Sequence, residues 1–329
     1  MQALVYTATK VVEIQEVAEP APGDGEVVVN ITAVGICGSD MHAYLGHDER
    51  RVPPLVLGHE AAGTVATGPR QGMPVVLNPL ITCGHCNDCL DGRQNLCAER
   101  DLIGMYRPGA FAQAIAIPEQ NLIPIPDGMD PALAALTEPA ATAVHGVNLA
   151  AKVSPRPLCE TECLVIGGGS VGLFAALALA EQGVRRITLA ETNALRRNTA
   201  ADTGVCDVMD PITEMPSKPA FDVIVDAVGS GRTRAMSSAL VRAGGTIIHI
   251  GLADSEAGLD TRRLTLQEVV FIGTYTYTPL DLRATLLKLH AGALGDLSWL
   301  EQRDLAEGAS AFSDLLEGRT PAPKIVLRP

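Results

Sequence analysis

Cys37, His59 and Glu60 offer a thiol, an imidazole and a carboxylate, the ligand types that borderline-soft zinc takes. A catalytic zinc uses three protein ligands and keeps one position open for substrate. Alone, each member says little: cysteine is among the most buried residue types, and Gly58-His59-Glu60 fits an ordinary turn. The surroundings change the balance. Ser39 sets a hydroxyl two residues after the thiol, and His42 sets an imidazole five after it. A metal-bound histidine normally donates its second N–H to an acceptor, and Asp40 is the carboxylate at hand.

Cys83, Cys86, Cys89 and Cys97 form a second set, with two, two and seven residues between them. Four thiolates so spaced close a tetrahedral site without the rest of the chain. Iron–sulfur proteins also use C-x2-C-x2-C, but there the fourth ligand follows after three residues and precedes a proline. Here seven intervene and Ala98 follows, which favours zinc. A closed site has no position for substrate, so its role is structural. His85, inside the loop, reads as a surface residue.

Cys163-Leu164-Val165-Ile166 leads into Gly167-Gly168-Gly169-Ser170-Val171-Gly172 and an apolar helix to about Gln182. This is G-x-G-x-x-G in the strand–turn–helix context it requires. Gly167 permits the tight turn, Gly169 lets backbone approach a pyrophosphate, and Gly172 allows close helix–strand packing. The anion then sits at the helix N-terminus, opened by Ser170 and Val171. The next strand ends at Glu191, 19 residues past Gly172. An acid there hydrogen-bonds both ribose hydroxyls and repels a 2′-phosphate. That favours NAD over NADP, while Arg196 and Arg197 on the following helix oppose the preference.

Gly35-Ile36-Cys37-Gly38-Ser39-Asp40-Met41-His42 followed by Gly58-His59-Glu60 resembles the medium-chain, zinc-dependent alcohol and polyol dehydrogenases. The resemblance runs over nearly all of the chain. It implies that Cys37 and His59 are zinc ligands and that Glu60 is a ligand or alternates with water. It implies that Ser39 and His42 form a proton relay and that Asp40 orients the zinc-bound histidine. In Thr137-Glu138-Pro139 to His145, it puts Glu138 where alcohol dehydrogenases have a second zinc cysteine and sorbitol-type enzymes have glutamate. It sets Thr142 against the nicotinamide and Lys324 towards the cofactor phosphates. The four-cysteine lobe matches a structural zinc site that many members carry. The implied whole is a homo-oligomer, dimer or tetramer, with two zinc ions and NAD per chain.

The activity so implied is oxidation of a secondary alcohol, a polyol or sugar acid, with a simple secondary alcohol as the alternative. Gly273-Thr274-Tyr275-Thr276-Tyr277 departs from the polyol enzymes, which typically carry arginine where Thr276 stands; this argues against sorbitol itself. A zinc-free quinone or enone reductase would not need the Cys37, His59, Glu60 set. A non-catalytic nucleotide sensor would need neither Ser39 nor His42 beside the metal cysteine.

Two frames must hold these groups, and a chain of 329 residues exceeds the usual single core. Short β-rich runs at 3–6, 11–14, 27–33, 63–66, 74–77 and 111–117 predict a partly open barrel, GroES-like by resemblance, with the zinc loop at its edge. Asp130 caps a helix that begins at Pro131 and runs on through Glu138. From Cys163 to Ile272, strands alternate with helices. That alternation predicts a doubly wound parallel sheet of Rossmann type, with Val228, Gly251 and Leu252 at the carboxyl ends of its strands. Helices at 280–291 and 306–317 and a strand at 324–327 close the chain, and by resemblance rejoin the first unit. The expected α/β division is 1–139 with 275–329 as the catalytic zinc-binding domain, and 140–274 as the dinucleotide-binding domain.

A hydrophobic content of 47% with 19% charged residues is ordinary globular composition. The net charge of −13 disfavours nucleic acid or an anionic membrane as partner. The pairs Arg50-Arg51, Arg185-Arg186, Arg196-Arg197 and Arg262-Arg263 read as solvated surface. The uncharged run Cys163 to Ala180 is long enough for a membrane span, but three consecutive glycines break it. With no signal-peptide pattern at the start, the eight cysteines point to metal binding in a reducing cytoplasm.

Overall fold

The computed structural model describes residues 1–329. Six parallel strands form one sheet in the order Asp207–Met209, Arg186–Ala190, Glu162–Ile166, Phe221–Asp226, Val241–His249, Val270–Gly273. Numbered along the chain this is 3-2-1-4-5-6, the dinucleotide-binding order, whose direction reverses between Glu162–Ile166 and Phe221–Asp226. The run flagged as a possible membrane span is Glu162–Ile166, the glycine turn and the helix Ser170–Glu181. No helix of the chain is long and apolar enough to cross a membrane.

The second sheet is mostly antiparallel, in the order Leu122–Pro124, Pro74–Leu77, Glu60–Val65, Glu26–Gly35, Lys324–Arg328, Leu300–Asp304, and Ala114–Pro118 also pairs with Glu26–Gly35. A smaller sheet joins Val11–Glu16, Gln2–Ala8 and Leu55–Val56. Inward alternation along Glu26–Gly35 buries Val27, Val29 and Ile31 in a core shared with Leu4, Phe111 and Phe312. Lys324–Arg328 lies beside Glu26–Gly35, so the end of the chain does return to the first unit.

Several elements differ from expectation for identifiable reasons. The helix beginning at Pro131 ends at Ala135, and a second, Thr137–Val153, follows at once. Pro139 has no N–H to give the Ala135 carbonyl and its ring crowds that carbonyl, so one continuous helix is excluded. The expected boundary at 139/140 falls inside this second helix. The strand expected from Phe111 starts at Ala114, because the N–H groups of Gly109, Ala110 and Phe111 donate to Val56, Gly58 and Leu57. Leu300–Asp304, Leu-Glu-Gln-Arg-Asp, was not expected to be a strand. It is an edge strand, and its polar side chains hide the pattern.

The helix Pro279–His290 packs on Thr137–Val153, and Leu286 and Leu289 enter the same core as Phe174 and Trp299. Those two aromatic rings meet edge to face at 5.3 Å. Both units therefore lean on Thr137–Val153, whose first turn carries Glu138.

Candidate active site

Antiparallel register brings the metal-ligand types together. Gly35, the last residue of its strand, pairs with Glu60, the first of the next. Cys37 and His59 therefore emerge side by side at the same end of the sheet. Gly35 has to be glycine, since a Cβ there would collide with the Glu60 carboxylate. Cys37 then caps the short helix Gly38–Tyr44, which places Ser39, Asp40 and His42 on one turn and the next.

Asp40 is fully buried, accepts the Cys37 N–H at 3.0 Å and the Gly58 N–H at 3.4 Å, and stands 3.5 Å from His59 Nδ1. Burial raises its pKa, but His59, Arg51 and the Cys37 N–H outweigh this and hold the carboxyl below its ordinary value. His59 thus turns Nδ1 to Asp40 and keeps Nε2 for another partner. The donor atoms of Cys37, His59 and Glu60 all lie within 4.8 Å of one another. Burial opposes protonation of His59, yet Asp40 and Cys37 raise its pKa well above the usual value. Anionic donors converging on a buried imidazole make a site that fits a divalent cation, and the thiol–imidazole–carboxylate set suits zinc.

Glu138 stands outside that 4.8 Å set but close enough for His59 and Glu60 to affect its titration. Burial pushes its carboxyl up to about 7, and His59 partly offsets the rise. The Tyr277 phenol, equally buried, is raised first by burial and then by Glu138. Its hydroxyl faces the Glu138 carboxyl, while the buried hydroxyls of Thr274 and Thr276 in the same segment have no hydrogen-bond partner.

Lys324 does not face the cofactor phosphates. Its side chain is sealed from solvent, and its ammonium bonds the Ile36 carbonyl at 2.7 Å and both oxygens of Glu60. The strand register puts Val326 opposite Gly35, which turns the start of that strand towards Glu60 rather than the sheet of the second unit. Arg51 is also misplaced by a surface reading. Arg50 is exposed, but Arg51 is buried beneath the Ser39 turn. No sequence pattern distinguished the two. His42 is half-buried; burial, His47 and Arg51 lower its pKa, with Asp48 opposing.

Cys83, Cys86, Cys89 and Cys97 also come together within 4.8 Å, with Cys83 Sγ 3.6 Å from Cys97 Sγ and 3.9 Å from Cys89 Sγ. The N–H groups of His85 and Cys86 hold the Cys83 thiol down to about 6, the thiolate form that zinc binds. His85 is exposed, with Nδ1 2.8 Å from the Cys83 carbonyl. The lobe docks on the main body through Asn95, which donates to the Tyr275 carbonyl at 2.9 Å.

At the sheet's reversal point, a cleft of about 680 Å³ is lined by Gly167, Glu191, Thr192, Ile212, Val228 and Arg232, among others. Gly167 takes φ +102, and Gly169 has nothing within 4 Å of where a Cβ would stand, an open cradle at the start of Ser170–Glu181. This fits a dinucleotide pyrophosphate. Glu191 accepts the Gly168 and Asn193 N–H groups, each at 2.7 Å, so its carboxylate rests at the edge of the glycine turn. Val228 packs over Gly167, and Gly251 lies against Val228 and Gly229. Leu252 follows and is exposed. Thr142 is half-buried one turn after Glu138, and donates to its carbonyl at 3.3 Å.

Residues 23–127 match the model of the alcohol dehydrogenase GroES-like domain, and residues 170–291 match that of the zinc-binding dehydrogenases. L-galactonate-5-dehydrogenase of Escherichia coli (strain K12) is 32% identical over 80% of this chain and 79% of its own. An L-threonine 3-dehydrogenase of Mesorhizobium japonicum is 30% identical over 97% of both chains. Among solved structures, alcohol dehydrogenase TADH from Thermus sp. ATN1 superposes with a TM-score of 0.91 at 25% identity, covering 100% of each chain. Acetophenone reductase from Geotrichum candidum in complex with NAD gives 0.88 at 25% identity, covering 100% of this chain and 97% of that one. The chain belongs to the medium-chain, zinc-dependent alcohol dehydrogenase family, and is an oxidoreductase of secondary alcohols.

Proposed function

We propose that this enzyme oxidises a secondary hydroxyl of a polyol or sugar acid, with NAD as hydride acceptor. The observation that carries the reading is the buried cluster of Cys37, His59 and Glu60, with Ser39 and His42 on the adjoining turn. Cys37 and His59 would hold a catalytic zinc, with Glu60 and Glu138 as further carboxylates, and the four-cysteine lobe a structural one. Zinc, when bound, supplies Lewis acidity to the substrate hydroxyl, and nicotinamide supplies the hydride acceptor. Asp40 keeps His59 in the tautomer that presents Nε2. Ser39 takes the substrate proton and His42 passes it towards solvent. Glycines 167, 169 and 172 with Ser170 and Val171 cradle the dinucleotide, and Val228, Gly251, Leu252 and Thr142 line its path. The chain so read divides into 1–139 with 275–329, and 140–274.

Two further observations support the finer points. The unpartnered, buried hydroxyls of Thr274 and Thr276 suit a substrate that is itself rich in hydroxyls. Arg197 is committed to the carbonyls of Glu191 and Thr192 and to Asp210, which withdraws it from any 2′-phosphate and favours NAD. The test is NADH formation across sugar acids, polyols, L-threonine and simple secondary alcohols. Highest kcat/KM on a polyol or aldonate is expected; highest activity on L-threonine or a simple alcohol would overturn the substrate assignment. Chelator dialysis with metal analysis checks the ions. The open Cys37 site should empty before the closed lobe, and simultaneous loss would contradict the two roles.

A further inference from the structure

Arg51 is buried to 2% exposure, and all three nitrogens of its guanidinium are hydrogen-bonded. Nε donates to the Gly104 carbonyl at 2.9 Å, and Nη1 reaches Asp48 Oδ2 at 2.6 Å and the Ser39 carbonyl at 3.4 Å. Nη2 donates to Ser39 Oγ at 3.4 Å. Asp48 is shared with Arg50, which binds it through Nε at 2.8 Å and Nη2 at 3.1 Å. Gly104, for its part, takes φ +72 and abuts the backbone of Gly58, next to His59. One side chain therefore ties the Ser39 turn to the loop that backs His59.

Stability alone is a poor reason for this arrangement. A buried guanidinium has to be repaid donor by donor, and replacing a buried ion pair with apolar residues of similar volume is often neutral or stabilising. The chemistry of the Ser39 contact gives a better one. A serine hydroxyl has one proton and two lone pairs, whereas guanidinium has donors only. The contact can run in one sense, Arg51 donating and Ser39 accepting.

We infer that Arg51 is a positioning residue for Ser39: it occupies one lone pair of the hydroxyl, leaving the other for the substrate proton and the Ser39 proton for onward transfer towards His42. The inference rests on the reading of Ser39 as the first relay group. In the step itself, the substrate hydroxyl gives its proton to Ser39 Oγ as Ser39 gives its own proton onward, and the hydride goes to nicotinamide. Arg51 exchanges no proton. Its contribution is to exclude the rotamer in which the Ser39 O–H turns back into the protein.

The test is Arg51→Lys and Arg51→Met, each alone and combined with Ser39→Ala. Lysine keeps a charge for Asp48 but lacks the planar fork that reaches Gly104, Asp48 and Ser39 together. Arg51→Lys should lower kcat roughly tenfold, short of the 10²–10⁴ of a whole acid–base group. KM for the alcohol, NADH affinity by fluorescence titration and zinc content should stay at parent values. In the Ser39→Ala background the same substitution should change kcat by less than about twofold, because the group it positions is gone. An equal penalty in both backgrounds, an unchanged kcat, or loss of zinc makes Arg51 a strut of the fold and overturns the inference. Full kcat in Ser39→Ala alone shows instead that the relay reading has failed, and the inference with it. Should Arg51→Met not fold, the lysine pair decides.

Discussion

Lys324 places its ammonium 2.7 and 2.6 Å from the two oxygens of Glu60, with both side chains sealed from solvent. Burial lowers the lysine pKa, but Glu60 and the nearby Cys37 raise it further, and the net is upward. A lysine in the last strand thus competes for the carboxylate that a metal at Cys37 and His59 would recruit. Lys324→Met should leave Glu60 buried without a counter-charge, at a cost of about 3–5 kcal/mol. Zinc offers Glu60 another partner, so the loss should be smaller for the zinc-loaded protein than for the stripped one. Denaturation of both forms checks this. Equal losses would mean that Lys324 supports the fold without competing for Glu60.

The second and third glycines of the motif should fail differently when filled. Gly169 has an ordinary backbone, φ −73 and ψ 178, and open space around a would-be Cβ. Gly169→Ala should cost no more than about 1 kcal/mol, as a poorer helix N-cap, yet weaken NADH binding, since the added methyl stands where the backbone approaches the pyrophosphate. Gly172 has the Gly167 carbonyl pressed against its Cα, so an added Cβ collides with backbone. Gly172→Ala should cost about 1–3 kcal/mol as overpacking. Thermal melts and NADH titrations on both variants check the pair; a destabilised Gly169→Ala with intact binding would reverse the assignment.

What was legible in the sequence was whatever is encoded by spacing along the chain. The four cysteines and the glycine turn are local in sequence, and both assemble as expected. The strand–helix alternation also gives the parallel sheet, because parallel pairing needs crossovers. Contacts made by long-range register were not legible. Lys324 reaches Glu60 across 264 positions, and nothing local separates that lysine from one lining a cofactor cleft. Arg51 and Arg50 are neighbours with identical side chains, and only the fold sends one inward. The edge strand Leu300–Asp304 carries no apolar alternation because its side chains are held by ion pairs and hydrogen bonds, Arg303 with Glu301 and Asp314 and Glu301 with Thr320, rather than by a core.

Glu191→Ala should erode discrimination between NAD and NADP. The carboxylate accepts one backbone N–H from the glycine turn, that of Gly168, and one from Asn193, which sets it for a ribose rather than for solvent. Its charged hydrogen bonds are worth about 1.5–3 kcal/mol, so the kcat/KM ratio should fall roughly ten- to hundredfold. Measuring both cofactors on one substrate checks this, and an unchanged ratio would remove Glu191 from the ribose site.

Asp281 gives a pH signature to the joint beneath the site. One of its oxygens is 2.7 Å from His145 Nδ1 and from Thr278 Oγ1, and the other accepts from Asn148 at 3.0 Å. This clamps Thr137–Val153, which carries Glu138, to the helix that begins just after Tyr277. Burial alone would raise the Asp281 pKa; His145, Thr278 and Asn148 outweigh it and hold the carboxyl well below the usual range. A folded pKa below the unfolded value of about 3.9 means that the unfolded chain binds more protons. The stability Asp281 contributes is therefore whole above about pH 5 and is lost as pH falls through 4 towards the folded pKa. Asp281→Asn should cost about 1–3 kcal/mol at neutral pH, as a lost charged hydrogen-bond acceptor. The gap between variant and parent should narrow on acidification, because the parent then loses what the variant never had. Urea unfolding of both proteins at neutral pH and near pH 3, about one unit below the unfolded pKa, measures the gap. A gap that stays constant or widens in acid would show that the joint is held by shape, not by the Asp281 charge.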